Sequence, residues 1–226
     1  MKEIFFIGGS KGGVGKTAVS IGTIDTLQER SEKILVVESD TSNPDVWKMY
    51  KDEVKCELIN LDEADGWIDL VNVCHAHSDS VVVVNTAARN NQGVASYGTT
   101  LQSTLAELDR KLVTLWVINR QRDSLELLKE YMESLPDSTI HVMRNTYFGS
   151  EAKFELYNSS KMRQAVEERG GKSLNFPDLA DRVADDLYSK RMSINSAVEK
   201  LPIGNRAELT RWRNEVRRIV GEVLDV

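Results

Sequence analysis

The sequence has few of the features that mark a secreted, disulfide-bonded or membrane-spanning protein. Its 226 residues include two cysteines, Cys56 and Cys74, which are too few for a disulfide framework and are not spaced as metal ligands. Every apolar run is shorter than a transmembrane helix requires, and the residues after Met1 enter a short strand pattern, which a signal peptide would not. The net charge of −6 excludes nucleic-acid binding through bulk positive charge. We therefore expect a cytoplasmic globular protein with reduced thiols.

Short apolar runs alternate with helical patterns along the whole chain. Few prolines are present, and no linker rich in proline or glycine divides the sequence. Strands are predicted at Ile4–Gly8, Ile34–Glu38, Leu58–Leu61, Val81–Asn85, Leu112–Asn119, Ile140–Met143 and Leu174–Phe176. Helices are predicted at Thr17–Arg30, Asp45–Lys51, Ala64–Ala76, Thr99–Arg110, Ser124–Ser134, Phe154–Arg169, Asp178–Lys190 and Asn205–Val226. This alternation predicts one α/β domain over residues 1–226, with a doubly wound, mostly parallel sheet of the P-loop NTPase type.

The most specific motif is SKGGVGKT at Ser10–Thr17, directly after the first predicted strand. It fits the pattern G-x-x-x-x-G-K-[ST], except that Ser10 replaces the first glycine. Its glycines allow backbone N–H groups to turn toward an anion, Lys16 can reach the β- and γ-phosphates, and the Thr17 hydroxyl can hold Mg²⁺. The following helix points its positive end at the same phosphates. The residues predicted to contact the nucleotide here are Lys11, Gly12, Gly13, Val14, Gly15, Lys16, Thr17 and Ala18.

Lys11, near the start of this loop, narrows the class of protein. The contiguous KGGVGKT resembles the deviant Walker A loop of the ParA/MinD superfamily of ATPases. That resemblance implies a face-to-face homodimer in which Lys11 reaches the partner's nucleotide, so that ATP binding and dimerisation are coupled. Taken alone, Lys11 could be a solvated surface lysine. The resemblance covers the chain in topology, but only Ser10–Ala18 is highly specific.

The resemblance continues at the ends of two later strands. The second strand ends Glu38-Ser39-Asp40, where the family has D-x-D and its second carboxylate positions the attacking water. A helix-capping aspartate is the alternative interpretation of Asp40. The fourth strand ends in Asn85 in place of the Walker B aspartate, which predicts slow hydrolysis because an amide carries no charge to hold Mg²⁺. The predicted catalytic residues are Lys11, Lys16 and Asp40, and the predicted Mg²⁺ site consists of Thr17, Asp40 and Asn85.

Two later positions are predicted to contact the base. Asn145 follows the sixth predicted strand, where relatives use a polar side chain to read adenine. Pro177 belongs to a Phe-Pro-Asp turn that resembles the late base-lining turn of the same family. Asparagine and proline are also ordinary loop residues, so both patterns have low specificity.

The C-terminal helical segment combines an apolar stripe with an excess of arginine. Between Lys190 and Arg218 there are eight basic and three acidic residues. The apolar stripe predicts that the helix docks on the sheet, with its arginines solvated. ParA-type ATPases bind DNA without sequence preference through basic residues near this end, so the resemblance implies a DNA contact. A membrane-surface helix like that of MinD is the competing interpretation. The predicted DNA contacts are Arg206, Arg211, Arg213, Arg217 and Arg218.

Our main hypothesis from the sequence is a small ParA-like ATPase that dimerises on ATP-Mg²⁺. It would act as a positional switch in DNA partition or DNA transfer, with a ParB-like or adaptor protein as its partner. Because the phosphate loop lies so near the N-terminus, we expect no sequence-specific operator binding. A dethiobiotin-synthetase-like metabolic ligase, a non-hydrolysing nucleotide-binding adaptor and a MinD-like membrane-surface ATPase remain as alternatives.

Overall fold

Seven parallel strands form one sheet in the computed structural model, which describes residues 1–88 and 90–224. Their order across the sheet is β3-β2-β4-β1-β5-β6-β7, and every neighbouring pair runs parallel. The strands are β1 (Lys2–Gly9), β2 (Ile34–Glu38), β3 (Lys55–Leu58), β4 (Val81–Asn85), β5 (Arg110–Ile118), β6 (Thr139–Asn145) and β7 (Ser173–Phe176). The predicted doubly wound α/β sheet of the P-loop NTPase type is confirmed.

Helices cover both faces of this sheet. They are α1 (Lys16–Glu29), α2 (Asp45–Tyr50), α3 (Ala64–Ala76), α4 (Asn91–Gln102), α5 (Asp123–Ser134), α6 (Glu155–Asn158), α7 (Lys161–Glu168), α8 (Asp181–Lys190), α9 (Ile194–Lys200) and α10 (Ile203–Leu224). One face buries a core with α1, α2 and α8–α10, and the other buries a second core with α3–α7. Within the described ranges, none of these helices has the length and apolar character needed to span a membrane.

The sheet has a switch point between β1 and β4. These strands are neighbours, but α1 follows β1 on one face whereas α4 follows β4 on the other. The two connections therefore diverge and leave a crevice at the carboxyl ends of the strands, which is where open α/β sheets bind their ligands. The phosphate loop and Asn85 both lie at this edge.

Two predicted elements are displaced along the chain at both ends because tertiary packing determines burial there, and the predicted helix Asp178–Lys190 begins only at Asp181. The third strand is Lys55–Leu58 and not Leu58–Leu61. Leu61 is buried because it belongs to a loop packed against α3, where its carbonyl oxygen accepts a 2.9 Å hydrogen bond from Trp67 Nε1. The fourth helix is Asn91–Gln102 and not Thr99–Arg110. This helix needs a glycine at position 93, because it lies so close to the Leu61 loop that a Cβ on Gly93 would be 2.1 Å from the Leu61 carbonyl oxygen.

The predicted helix Phe154–Arg169 is in fact two helices. Ser160 ends the continuity, because its Oγ accepts a 3.1 Å hydrogen bond from the Arg163 amide and so caps α7. Helix α9 was not predicted at all, although Ser193 caps it in the same way. The predicted C-terminal helix is confirmed as α10 up to Leu224, and its predicted end at Val226 lies outside the described residues.

The apolar stripe of α10 docks on the core as predicted. Buried residues recur along it at helical spacing: Leu209, Trp212, Val216, Ile219, Val220 and Val223. The contact with α1 is close, because a Cβ on Gly22 would lie 2.7 Å from Val216 Cγ1. Helix α10 is therefore a structural partner of the helix that follows the phosphate loop.

Candidate nucleotide site

The phosphate loop links the end of β1 to the start of α1. Gly13 has φ 77° and Gly15 has φ 106°, both in the left-handed region that favours glycine. Space at Gly15 is also restricted, since a Cβ there would lie 2.4 Å from Asn145 Nδ2. These two glycines allow the loop to turn its backbone toward the crevice, as the motif predicts.

Lys16 is buried at the base of this loop. The residue is only 8% exposed, and its Nζ donates a 3.0 Å hydrogen bond to the Lys11 carbonyl oxygen. Burial lowers the pKa of Lys16 to about 8, and the nearby Asp40 carboxylate opposes part of that shift. Because this ammonium has three donors and gives one to a carbonyl oxygen, it can donate the others to an anion such as phosphate.

Two cavities flank the loop and share Gly13, Gly15 and Tyr188. The first, of about 340 Å³, is lined mainly by polar residues: Gly12, Gly13, Gly15, Lys16, Thr17, Asp40, Asn43, Asp45, Asn85, Thr86, Ala88 and Tyr188. The second, of about 230 Å³, is more apolar and is lined by Ala18, Asn145, Phe176, Pro177 and Trp212 among others. This pairing of a polar and an apolar cavity around one glycine loop matches the phosphate and base ends of a nucleotide.

The residues of the predicted metal site face the polar cavity. Thr17, Asp40 and Asn85 all line it, and hydroxyl and carboxylate oxygens are ligands that Mg²⁺ accepts. Asp40 Oδ1 accepts a 3.0 Å hydrogen bond from the backbone N–H of Asn43, which orders the loop after β2. The amide oxygen of Asn85 already has a partner within the protein, because its Oδ1 accepts a 2.8 Å hydrogen bond from Ser20 Oγ. The residue set fits a hydrated Mg²⁺, with Thr17 and Asp40 as the groups best placed to hold it.

Asn85 also contacts a carboxylate that the sequence did not mark as part of the metal site. Its Nδ2 donates a 2.9 Å hydrogen bond to Glu38 Oε1, across the neighbouring strands β2 and β4. Glu38 is fully buried, and burial raises the pKa of its carboxyl to about 7 in spite of the hydrogen bonds it accepts.

The two predicted base contacts lie together in the apolar cavity. Asn145 lines it and also supports the phosphate loop, since its Nδ2 donates a 2.9 Å hydrogen bond to the Val14 carbonyl oxygen. Pro177 lines the same cavity, and its carbonyl oxygen accepts a 2.9 Å hydrogen bond from Trp212 Nε1. Helix α10 therefore holds the turn that lines this cavity. That Asn145 and Pro177 contact a base stays a prediction.

Lys11, the lysine near the start of the phosphate loop, is paired within its own chain. Lys11 Nζ forms an ion pair with Asp123, in the first turn of α5, and both side chains are about half exposed. The neighbouring Ser10 is also tied to this helix, through a 2.9 Å hydrogen bond between its hydroxyl and that of Ser124. Water screens an exposed ion pair of this kind, so it does not prevent Lys11 from changing partner.

The five arginines predicted to bind DNA do not form one surface patch. Arg213 and Arg217 both pair with the buried carboxylate of Asp25 in α1, at 2.7 and 2.8 Å. Arg211 pairs with two glutamates of its own helix and Arg218 with one, and both of these side chains stay largely exposed. Arg206 is half-buried near the start of α10. The structure thus gives Arg213 and Arg217 a structural role, and the DNA contact stays a prediction.

Sequence reasoning missed three residues of this region. Tyr188 lines both cavities from α8, but its predicted helix contained no motif that would single it out. Asp123 was not expected to hold Lys11, because nothing in the sequence signals a contact between these two segments. Ser20 orients Asn85 from the second turn of α1, in a register that the P-loop pattern does not cover.

A glycine loop, a buried lysine and a threonine at the switch point of a parallel sheet define a P-loop nucleotide-binding protein. The chain belongs to the CobQ/CobB/MinD/ParA nucleotide-binding domain family, whose model matches residues 5–152. It is similar to Protein MobD of Acidithiobacillus ferrooxidans, with 69% identity over 223 residues, covering 99% of this chain and 98% of MobD.

Two solved structures share the fold at low sequence identity. The MinD cell division protein of Aquifex aeolicus superposes with a TM-score of 0.57 and 14% identity, covering 97% of each chain. A nucleotide-binding protein of Archaeoglobus fulgidus, solved in complex with ADP, gives a TM-score of 0.51 and 12% identity, covering 88% of this chain and 92% of that one. The resemblance to the ParA/MinD superfamily that the loop predicted is confirmed.

Proposed function

We propose that this chain is an ATP-dependent dimerising switch of the ParA type. In this proposal it binds ATP-Mg²⁺ and non-specific DNA, positions or segregates DNA or a DNA-bound complex during partition or DNA transfer, and hydrolyses ATP slowly. The observation that carries the proposal is Lys11, exposed at the mouth of a phosphate loop that is flanked by a polar and an apolar cavity. A half-exposed lysine whose partner is one exposed carboxylate is available to a nucleotide bound by a second subunit.

The chemistry proposed for the site follows from the groups that line it. Bound Mg²⁺ supplies charge neutralisation at the β- and γ-phosphates. Lys16 and the loop amides bind and orient the phosphates, and Asp40 orients a water near the γ-phosphate. Asn85 supplies no charge at the end of β4, which supports slow turnover over rapid turnover. A ParB-like or adaptor protein would then be the partner that stimulates it.

The coupling of ATP to dimerisation is tested by size-exclusion chromatography. ATP with Mg²⁺, or a slowly hydrolysed analogue, is expected to convert monomer to dimer, and Lys11→Ala is expected to abolish this shift. Lys33→Ala is the matched control, because Lys33 is an exposed lysine paired with an aspartate and distant in sequence from the loop. An unchanged elution volume with either nucleotide in the parent protein would contradict the proposal.

A phosphate-release assay separates the proposed ATPase from two other functions. Release above background, in the presence of DNA and a partner protein, is expected for a slow ATPase. Background release with intact nucleotide binding would instead identify a non-hydrolysing adaptor, which the amide at Asn85 favours. Release that required a small carboxylate or amine substrate would identify a metabolic ligase.

DNA binding is expected to depend on ATP and on salt. Phosphate contacts release counterions, so the DNA affinity in the ATP state should fall steeply between two salt concentrations, by about tenfold for a few contacts. Arg211→Glu with Arg218→Glu is expected to weaken it further, because these are exposed arginines of α10. Arg213 is left unchanged, since its removal would disturb the pairing with Asp25. Equal affinity at both salt concentrations would exclude this mode of binding.

A further inference from the structure

Three polar side chains are buried together where β2, β4 and α1 meet. Glu38, Asn85 and Ser20 are each less than 5% exposed. The Ser20 hydroxyl donates to Asn85 Oδ1 at 2.8 Å, and Asn85 Nδ2 donates to Glu38 Oε1 at 2.9 Å. The side-chain amide of Asn85 is therefore held in one orientation, with its donor toward the carboxylate and its acceptor toward the hydroxyl.

The Glu38 carboxylate also holds the segment that carries Asp40. Oε1 accepts a 3.0 Å hydrogen bond from the Asp40 amide, and Oε2 accepts a 3.2 Å hydrogen bond from the Val46 amide. One carboxylate thus fixes the backbone at Asp40 and in the first turn of α2. The orientation of the Asp40 side chain in the polar cavity depends on this anchor.

The neutral residue at position 85 is what makes this arrangement possible. An aspartate there would place a second carboxylate about 3 Å from Glu38 in a buried position, and two carboxylates at that distance cannot both stay ionised without a large cost. The pair therefore contains one carboxylate, at the end of β2, and one amide, at the end of β4. Asn85 lines the polar cavity, whereas Glu38 is fully buried and is joined to Asn85 by a hydrogen bond.

We propose that Glu38 and Asn85 form one functional unit, in which Glu38 supplies from β2 the negative charge that Asn85 lacks and positions Asp40 for the water. Glu38 is then a positioning residue for the metal end of the site. The pairing itself is a property of the folded chain, and its effect on Mg²⁺ rests on the proposed function. Restoring an aspartate at the end of β4 should consequently damage the site.

The test compares the parent protein with Glu38→Gln, Asn85→Asp and the double variant. The first measurement is urea unfolding without nucleotide or Mg²⁺, with all variants at the same pH. Asn85→Asp is expected to lower the urea midpoint by about 1 M. The double variant should recover part of this loss, because a carboxylate and an amide again face each other. Recovery is incomplete, since one glutamine atom cannot both donate to residue 85 and accept from the Asp40 amide.

Asn60→Asp is the matched control for unfolding. Asn60 Nδ2 donates to Glu63 Oε1 at 2.9 Å, the same amide-to-carboxylate contact in an exposed position, where water screens the added charge. Its midpoint should stay close to that of the parent protein. The proposal would be overturned if Asn85→Asp were as stable as the parent protein. It would also be overturned if the changes in urea midpoint of the two single variants simply added in the double variant. If Asn85→Asp does not fold, recovery of folding by Glu38→Gln is the decisive result, and its failure overturns the proposal.

The second measurement is the gain in ATP affinity that Mg²⁺ produces, determined for each variant. In Glu38→Gln we expect the gain in ATP affinity to be about tenfold smaller than in the parent protein, because the charge is removed. In Asn85→Asp we expect the gain not to exceed that of the parent protein. An Asn85→Asp variant with a larger gain than the parent protein would overturn the proposal. A parent protein that binds no ATP would contradict the proposed function, whereas the unfolding experiment would still decide whether Glu38 and Asn85 act together.

Discussion

Lys16→Ala is expected to weaken ATP binding by about a hundredfold or more. The lysine would make charge-assisted hydrogen bonds to phosphate oxygens, each of which contributes about 1.5–3 kcal/mol. Its ammonium is already held at the loop by the hydrogen bond to the Lys11 carbonyl oxygen, which reduces the side-chain entropy lost when an anion binds. Isothermal titration with ATP and Mg²⁺ measures the change directly.

The same variant provides its own control for folding. Lys16→Ala removes a buried charge that is held by a carbonyl oxygen, so the free energy of unfolding without nucleotide should stay the same or rise. A loss of ATP affinity then reflects lost phosphate contacts and not a damaged fold. Lys33→Ala, at an exposed lysine, should leave both quantities unchanged. ATP affinity that survives Lys16→Ala would mean that the nucleotide binds elsewhere.

The phosphate loop could be predicted from the sequence because its chemistry is local. Gly13 and Gly15 must adopt left-handed backbone conformations, and Lys16 begins the helix that follows, so all three requirements appear within a few adjacent residues. The strand ends at Asp40 and Asn85 were also predicted to lie near this loop. They do so because the carboxyl ends of parallel strands meet at one edge of a sheet.

The remaining contacts of the site could not be predicted because they join distant parts of the chain. Lys11 pairs with Asp123 through the packing of β1 beside β5, and no local pattern around either residue signals it. The link between Glu38 and Asn85 depends on the register of β2 against β4, which places the two residues side by side. The sequence marked Asn85 as a departure from the family pattern, but only the register shows that it lies beside Glu38.

The arginines of α10 illustrate the same limit for charge. An excess of positive charge along a helix predicts a solvated face, and Arg211 and Arg218 do remain exposed. Arg213 and Arg217 instead point toward α1, where Asp25 lies 188 and 192 positions earlier in the chain. A buried aspartate in the middle of a helix gives no sign in the sequence of which cation will neutralise it.

Asp25→Ala is expected to lower the free energy of unfolding by about 3–5 kcal/mol. The Asp25 carboxylate is 1% exposed and accepts hydrogen bonds from both Arg213 and Arg217, so its removal leaves two largely buried guanidinium groups without their shared carboxylate. The apolar stripe of α10 would remain, but the guanidinium groups could regain hydration only by moving α10 away from α1. Urea unfolding monitored by tryptophan fluorescence measures the loss, since Trp212 lies in the same helix.

Glu29→Ala is the matched control, because Glu29 lies one turn along α1 and pairs with the same Arg217 at 2.8 Å while staying 60% exposed. An exposed ion pair contributes about 0.2–1 kcal/mol, so its loss should barely move the urea midpoint. The contrast between the two variants isolates burial as the cause. Since Trp212 also holds the Pro177 carbonyl, a displaced α10 should weaken ATP binding in Asp25→Ala even under conditions where the protein stays folded. Equal midpoints for the two variants would mean that the apolar stripe alone holds α10 against α1.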